Sequence, residues 1–125
     1  MNTITRTSHP QGREIAATIR RQIGTDAWLA TSARDPRFWT NETGDVVFAF
    51  RFGSRYGLPK WCEITYRRAS DDYGVIAYKI HRNGCKKTLN QPDEITGTYW
   101  AEWDGIYADI LGTFIRIANQ MGELS

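Results

Sequence analysis

The sequence predicts an α+β domain in which an N-terminal helix, a four- to five-stranded antiparallel meander and a C-terminal helix follow one another, with both helices packed on one sheet face. Three observations carry this expectation. Ile15, Ile19 and Ile23 recur at steps of four near the start. A run of alternating segments fills the middle. Ile106, Ile110, Phe114, Ile117 and Met121 recur at steps of four and three near the end, the period of one helix face.

The first helix spans Pro10 to Ile23, with Pro10 tolerated in the opening turn and Gly24 as the stop. A short strand is expected from Trp28 to Thr31. The next segment, Ser32 to Gly44, contains Asp35-Pro36 and Asn41-Glu42-Thr43-Gly44 and reads as a loop anchored by Phe38 and Trp39.

From Val46 to Phe52 the aromatic residues Phe48, Phe50 and Phe52 alternate with Val47, Ala49 and Arg51, which marks a strand with one buried face. Gly53 to Pro59 is a basic loop. Trp61 to Tyr66 forms the next strand, with Cys62, Ile64 and Tyr66 on one side. Ser70-Asp71-Asp72 turns the chain into Tyr73 to His81, where Ile76, Tyr78 and Ile80 are expected to face inward. Asn83-Gly84 marks a tight turn, Lys86 to Glu94 is loop, and a fifth strand is expected around Thr96 to Ala101. The helices then cover a face holding Phe48, Phe50, Ile64 and Tyr78. In the final helix the apolar stripe is to be buried, Leu111, Ile115 and Ala118 widening it, with Asp104 as N-cap and Gly122 near the end.

Length and composition are those expected of one domain over 10–125 behind a flexible segment at 1–9. Met1 to Arg13 lacks the apolar run of a signal peptide, and the longest purely apolar run, Val46 to Phe50, is too short to span a bilayer. The expectation is therefore a cytoplasmic protein without a membrane partner. Two cysteines, Cys62 and Cys85, are too few for a disulfide framework.

The formal charge of +2 is unevenly spread. Residues 51 to 87 hold a surplus of six positive charges, and residues 88 to 125 a surplus of five negative ones. Such a split steers charged partners or pairs copies of the chain with one another.

Catalytic and cofactor signatures give no lead: there is no GxGxxG, P-loop lysine motif, GxSxG or HExxH. His81 and Cys85 stand four apart and with Cys62 would supply three zinc ligands, but the Asn83-Gly84 turn between them and the remoteness of His9 argue against a metal site. His81 has no visible partner as a general base. Asp104 and Asp109, five apart on a helix, would lie on different faces and suit capping and solvation better than acid–base work. No enzyme, cofactor or metal is expected.

Several blocks resemble a family: Glu14 to Gly24, Trp28 to Ala33, Glu63-Ile64-Thr65-Tyr66 with Asp72-Tyr73, and Gly105-Ile106-Tyr107-Ala108-Asp109-Ile110-Leu111. Together they resemble a widespread family of small, uncharacterised proteins of phages, prophages and other mobile elements. Pro36 to Thr43 and Lys86 to Glu94 depart from its pattern, and Ser32-Ala33-Arg34 stands in place of a Gly-Ala-Lys-like turn.

The resemblance implies an accessory factor acting by binding, such as an inhibitor of a host defence complex of the anti-CRISPR kind, and it assigns no catalytic residue. The residues expected to meet a partner are Arg34, Arg37, Trp39, Arg55, Tyr56, Lys60, Trp61, Arg67 and Arg82. Interleaved cations and aromatics also suit nucleic acid. Arg51, Arg67, Lys79 and Arg82 suit a phosphorylated nucleotide signal. A homodimer, basic half against acidic half, is a further expectation.

Overall fold

The computed structural model describes residues 10–53, 59–80 and 97–123. Its elements are α1 (Pro10–Ile23), α2 (Thr25–Ala30), β1 (Arg34–Thr40), β2 (Val46–Arg51), β3 (Lys60–Arg67), β4 (Asp72–Ile80), β5 (Gly97–Ile106), a 3-10 turn (Ala108–Ile110) and α3 (Leu111–Glu123). The five strands form one antiparallel sheet in sequential order, β1-β2-β3-β4-β5. The helices lie against one face of it, so the α+β class and the placement of the helices agree with the expectation. No helix is long and apolar enough to cross a membrane among the described residues.

The core forms where the helices meet the sheet. Phe48 and Phe50 project from β2 with Phe52 just beyond its end, Cys62 and Ile64 from β3, and Val75 and Ala77 from β4, toward Ile19 and Ile23 of α1 and Leu111 and Ile115 of α3. Phe50 is fully buried among rings, with its centroid 5.1 Å from Trp28, 6.1 Å from Phe48 and 5.5 Å from Phe52. Burial pushes the Cys62 thiol well above its ordinary range, and the neighbouring Glu63 charge adds to the effect.

Helix α1 has the expected limits, and Gly24 at φ +87° turns the chain out of it. The following segment corrects the expectation of a strand at Trp28 to Thr31: it is the short helix α2. Ala27 and Trp28 reach the core from one side of a single turn, and so short a stretch carries too little periodicity to separate helix from strand. The Thr31 hydroxyl donates to the Ala27 carbonyl at 2.9 Å and closes the turn.

A second correction concerns the loop expected over Ser32 to Gly44, most of which is strand β1. Its turn-forming residues have another use. Asp35 sits at φ +56°, the register shifts between Arg34 and Arg37, and Pro36 lies inside this irregularity. Proline is tolerated there because β1 is an outer strand. The Asn41 to Gly44 turn itself is as expected: the Asn41 side-chain oxygen accepts the N–H groups of Thr43 and Asp45.

Strand β4 presents the face opposite to the expected one. Pairing sets Cys62 against Ala77 and Ile64 against Val75, so Val75 and Ala77 enter the helix-covered core, while Ile76 and Tyr78 point to the other side with Glu63 and Trp61. Both faces of β4 are apolar, so alternation alone did not choose between them; a one-residue change of register exchanges the two sets.

The last correction is at the C-terminal end. Strand β5 runs to Ile106, and Asp104 is a strand residue rather than a helix cap; α3 begins at Leu111. Its buried stripe is Leu111, Ile115, Ala118 and Gly122, whereas Ile110, Ile117 and Met121 are partly exposed. Small residues select this face. A Cβ on Gly112 would stand 2.4 Å from the Ile23 carbonyl oxygen, and one on Gly122 would stand 2.5 Å from the Trp100 ring. Phe114 packs edge-on against Trp103 with centroids 5.0 Å apart. Trp100 donates its indole N–H to the Ala118 carbonyl at 2.8 Å, and Lys60 donates to the Gly122 carbonyl at 2.6 Å, a cation at the negative end of the helix.

Candidate interaction face

Alternation along the strands leaves a second sheet face on which none of the described helices packs. Strand β1 contributes Arg37 and Trp39, β2 contributes Val47, Ala49 and Arg51, β3 contributes Trp61, Glu63, Thr65 and Arg67, and β4 contributes Ile76 and Tyr78. Ala49, Trp61 and Tyr78 form a second apolar cluster there, flanked by Trp39 and Ile76. The Arg37 guanidinium carbon lies 4.6 Å from the Trp61 ring centroid, a cation–π contact across β2. Tyr78 donates its hydroxyl to Glu63 at 2.6 Å, and burial together with this bond raises its pKa strongly. Tyr99 of β5 is exposed and meets the Tyr78 ring at 5.5 Å between centroids.

The charges on this face are ordered by strand. Arg34 pairs in register with Arg51, and with Arg37 these three arginines mark the β1 and β2 side. The Arg51 Nε is buried and has no hydrogen-bond partner among the described residues. Glu63 follows on β3, and exposed Glu102 and Asp104 on β5 alternate with core-facing Ala101 and Trp103.

Of the residues expected to meet a partner, the structure gathers Arg34, Arg37, Trp39 and Trp61 on the β1 to β3 part of this face. Arg67 lies at the opposite end of β3, roughly 20 Å along the strand from Trp61. It donates Nε to Asp72 at 2.9 Å and stands 3.3 Å from Asp104. Lys60 is separated from the group: it lies on the helix-covered side as the α3 cap described above. Arg55, Tyr56 and Arg82 lie outside the described residues, as do His9, His81 and Cys85. The four cations considered for a nucleotide do not converge, since Arg51 and Arg67 occupy different ends of the open face, Lys79 follows the register of core-facing Ala77, and Arg82 is not described. No group of three His, Cys, Asp or Glu is placed to hold a metal ion among the described residues.

The Arg67–Asp72 pair is structural, and its effect is measurable. Hydrogen bonds from Arg67 and Ser70 hold the Asp72 carboxyl below its ordinary range. A depressed folded-state value stabilises the fold above the unfolded value near 4, and that contribution disappears as the pH falls through the folded value. Thermal melts of the parent chain and of Asp72→Asn should therefore differ at pH 7 and draw together as the pH falls below the unfolded carboxylate value near 4 and on through the depressed folded one. A difference independent of pH would exclude the carboxylate as its source.

A separate cleft opens on the helix side, where the β3–β4 turn meets α1 and the 3-10 turn. It has a volume of about 410 Å³ and is lined by Gln22, Tyr66, Asp71, Tyr73, Tyr107 and Asp109, among others. Sequence reasoning did not find it. Tyr107 and Asp109 are both exposed, and neither belongs to a periodic pattern that would have drawn them together. Exposed Tyr99 was likewise missed on the sheet face; its signal was an aromatic beside Trp100 at the start of a strand.

Comparison of the chain with protein-family models, with curated proteins and with solved structures gave no match.

Proposed function

We propose that this chain is a non-enzymatic accessory protein of phages or other mobile elements that binds a protein of a host defence complex through the β1 to β3 part of its open sheet face. The observation that supports this reading is the joining of exposed Arg34 and Arg37 with Arg51 around the Trp39 and Trp61 rings. Arginine beside tryptophan is the composition of an interface centre, and the exposed Arg34 and Arg37 side chains suit an acidic partner. The mobile-element setting rests on the resemblance of the sequence blocks alone.

The nucleic-acid reading has less support. Bases need open ring faces, whereas Trp61 is 9% exposed and carries Arg37 on its ring. Lys60 and Arg67 are engaged within the fold.

The test is restoration of phage plaquing by the chain in bacterial hosts carrying defined defence systems, CRISPR systems included. Arg34→Glu combined with Arg37→Glu should abolish this effect while lowering stability only by about 1 kcal/mol, the worth of the lost Arg37–Trp61 contact. Because a hot-spot side chain contributes on the order of 2 kcal/mol, the double reversal should weaken partner binding at least about 100-fold. Full activity of the double variant would remove the face from the mechanism. Retention of single-stranded nucleic acid at low salt, lost in the same variant, would transfer the face to the second reading.

A further inference from the structure

The cleft of Gln22, Tyr66, Asp71, Tyr73, Tyr107 and Asp109 draws its walls from α1, β3, the β3–β4 turn, β4 and the start of the 3-10 turn. Its polar chemistry has one sign. Tyr66 donates its hydroxyl hydrogen to Asp71 at 2.7 Å, and Tyr73 donates its own to the Gln22 side-chain oxygen. With both phenol hydrogens committed, the two hydroxyls have only oxygen lone pairs left to offer, and the two rings pack against each other with centroids 5.5 Å apart. Asp71, held at φ +53° by the turn, and Asp109 add two exposed carboxylates. No lysine or arginine lines the cleft among the described residues; Arg68, whose charge reaches Tyr66, stays outside the lining.

The phenols remain neutral under ordinary conditions. Burial pushes Tyr73 up to about 12, and the bond to Asp71 raises Tyr66. Neutral electron-rich rings beside carboxylates attract a cation that also has apolar surface, because the ring quadrupole and the carboxylate act on the same charge. An inorganic ion would leave the rings unused, and an anion would meet two carboxylates. A smaller hollow of about 270 Å³ shares Gln22, Tyr66, Asp71 and Tyr73 and is bounded on α1 by Thr18, whose hydroxyl accepts from Arg21 at 3.1 Å, and by Ile15, which offers apolar surface to an alkyl stem.

We propose that this cleft binds an organic cation, an alkylammonium or guanidinium group on an aliphatic stem, against the Tyr66, Tyr73 and Tyr107 side chains and beside the Asp71 and Asp109 carboxylates. Such a group comes either from a free polyamine or from a lysine or arginine side chain. The cleft is separate from the open sheet face, so the two proposals stand or fall independently.

The experiment is an amide NMR titration with spermidine, with capped lysine and arginine amides, and with hexane-1,6-diol as the uncharged control, each up to about 10 mM. Shifts should centre on Gln22, Tyr66, Tyr73, Tyr107 and Asp109 and should diminish with salt. Saturation by spermidine alone identifies a free polyamine, and saturation by the capped amides identifies a side chain. Tyr107→Ala and Asp109→Asn, both at exposed positions, should each weaken binding about tenfold while Tyr107→Phe retains it. The proposal is overturned if no cation shifts these residues, if the diol shifts them equally, if the shifts follow Glu102, Asp104 and Glu123 instead, or if both weakening variants bind like the parent.

Discussion

Replacement of Phe50 by alanine is expected to destabilise the fold by about 3–5 kcal/mol, the range for emptying an aromatic site in a packed core. The ring is enclosed by Trp28, Phe48 and Phe52 and has no exposure. Its neighbours come from a helix and a strand that cannot both collapse into the space. A domain of this size holds only about 5–15 kcal/mol in all, so the variant should sit close to its unfolding threshold. With a urea slope on the order of 2 kcal/mol/M, the midpoint should fall by about 2 M. A fall of less than about 0.5 M would mean that the centre of the core lies elsewhere.

Gly112→Ala should also destabilise the fold, although on an isolated helix the same change is favourable by about 1 kcal/mol. The opposing term is steric. The new Cβ would stand 2.4 Å from the Ile23 carbonyl oxygen, which belongs to backbone at the end of α1 and cannot rotate away. Separating α1 from α3 would loosen Leu111 and Ile115 from the core, and overpacking of this kind costs about 1–3 kcal/mol net. Gly122→Ala gives the contrast, because its Cβ meets the Trp100 side chain rather than backbone. Urea unfolding of the two variants should therefore rank Gly112→Ala as the less stable. The opposite ranking would show that the α1–α3 contact yields more readily than the Trp100 packing.

The parts of this fold legible in the sequence are those where one physical signal stands alone. Ile15, Ile19 and Ile23 bounded by Pro10 and Gly24 define α1, and Phe48, Phe50 and Phe52 against smaller partners define β2 and its buried side. Ambiguity arises where two apolar sets compete. In β4, Val75 and Ala77 oppose Ile76 and Tyr78, and only pairing with Cys62 and Ile64 decides between them. In α3, the stripe through Ile110, Ile117 and Met121 is more hydrophobic than the one through Leu111, Ala118 and Gly122, yet the smaller residues face inward because close approach to Ile23 and Trp100 requires them. Strand β1 was hidden because Asp35 and Pro36 are turn formers in isolation, and its pairing with β2 is a tertiary effect.

The candidate face was half legible for a related reason. Residue types pointed to Arg34, Arg37, Trp39 and Trp61, which do assemble. Lys60 and Arg67 are of the same types, but their engagements with the Gly122 carbonyl and with Asp72 depend on elements distant in sequence or on register. The tyrosine cleft was illegible because its residues are scattered from Gln22 to Asp109 and converge only through packing.

The irregular β1 strand also bears on self-association. An open five-stranded sheet ends in rows of backbone N–H and C=O groups that could template another chain in amyloid-like stacking. At β1 that row is interrupted: Pro36 offers no N–H, and left-handed Asp35 bends the backbone out of line. At β5 two register shifts and the carboxylates of Glu102 and Asp104 break the regularity. The same residues that disguised β1 as a loop thus act as gatekeepers against cross-β polymerisation.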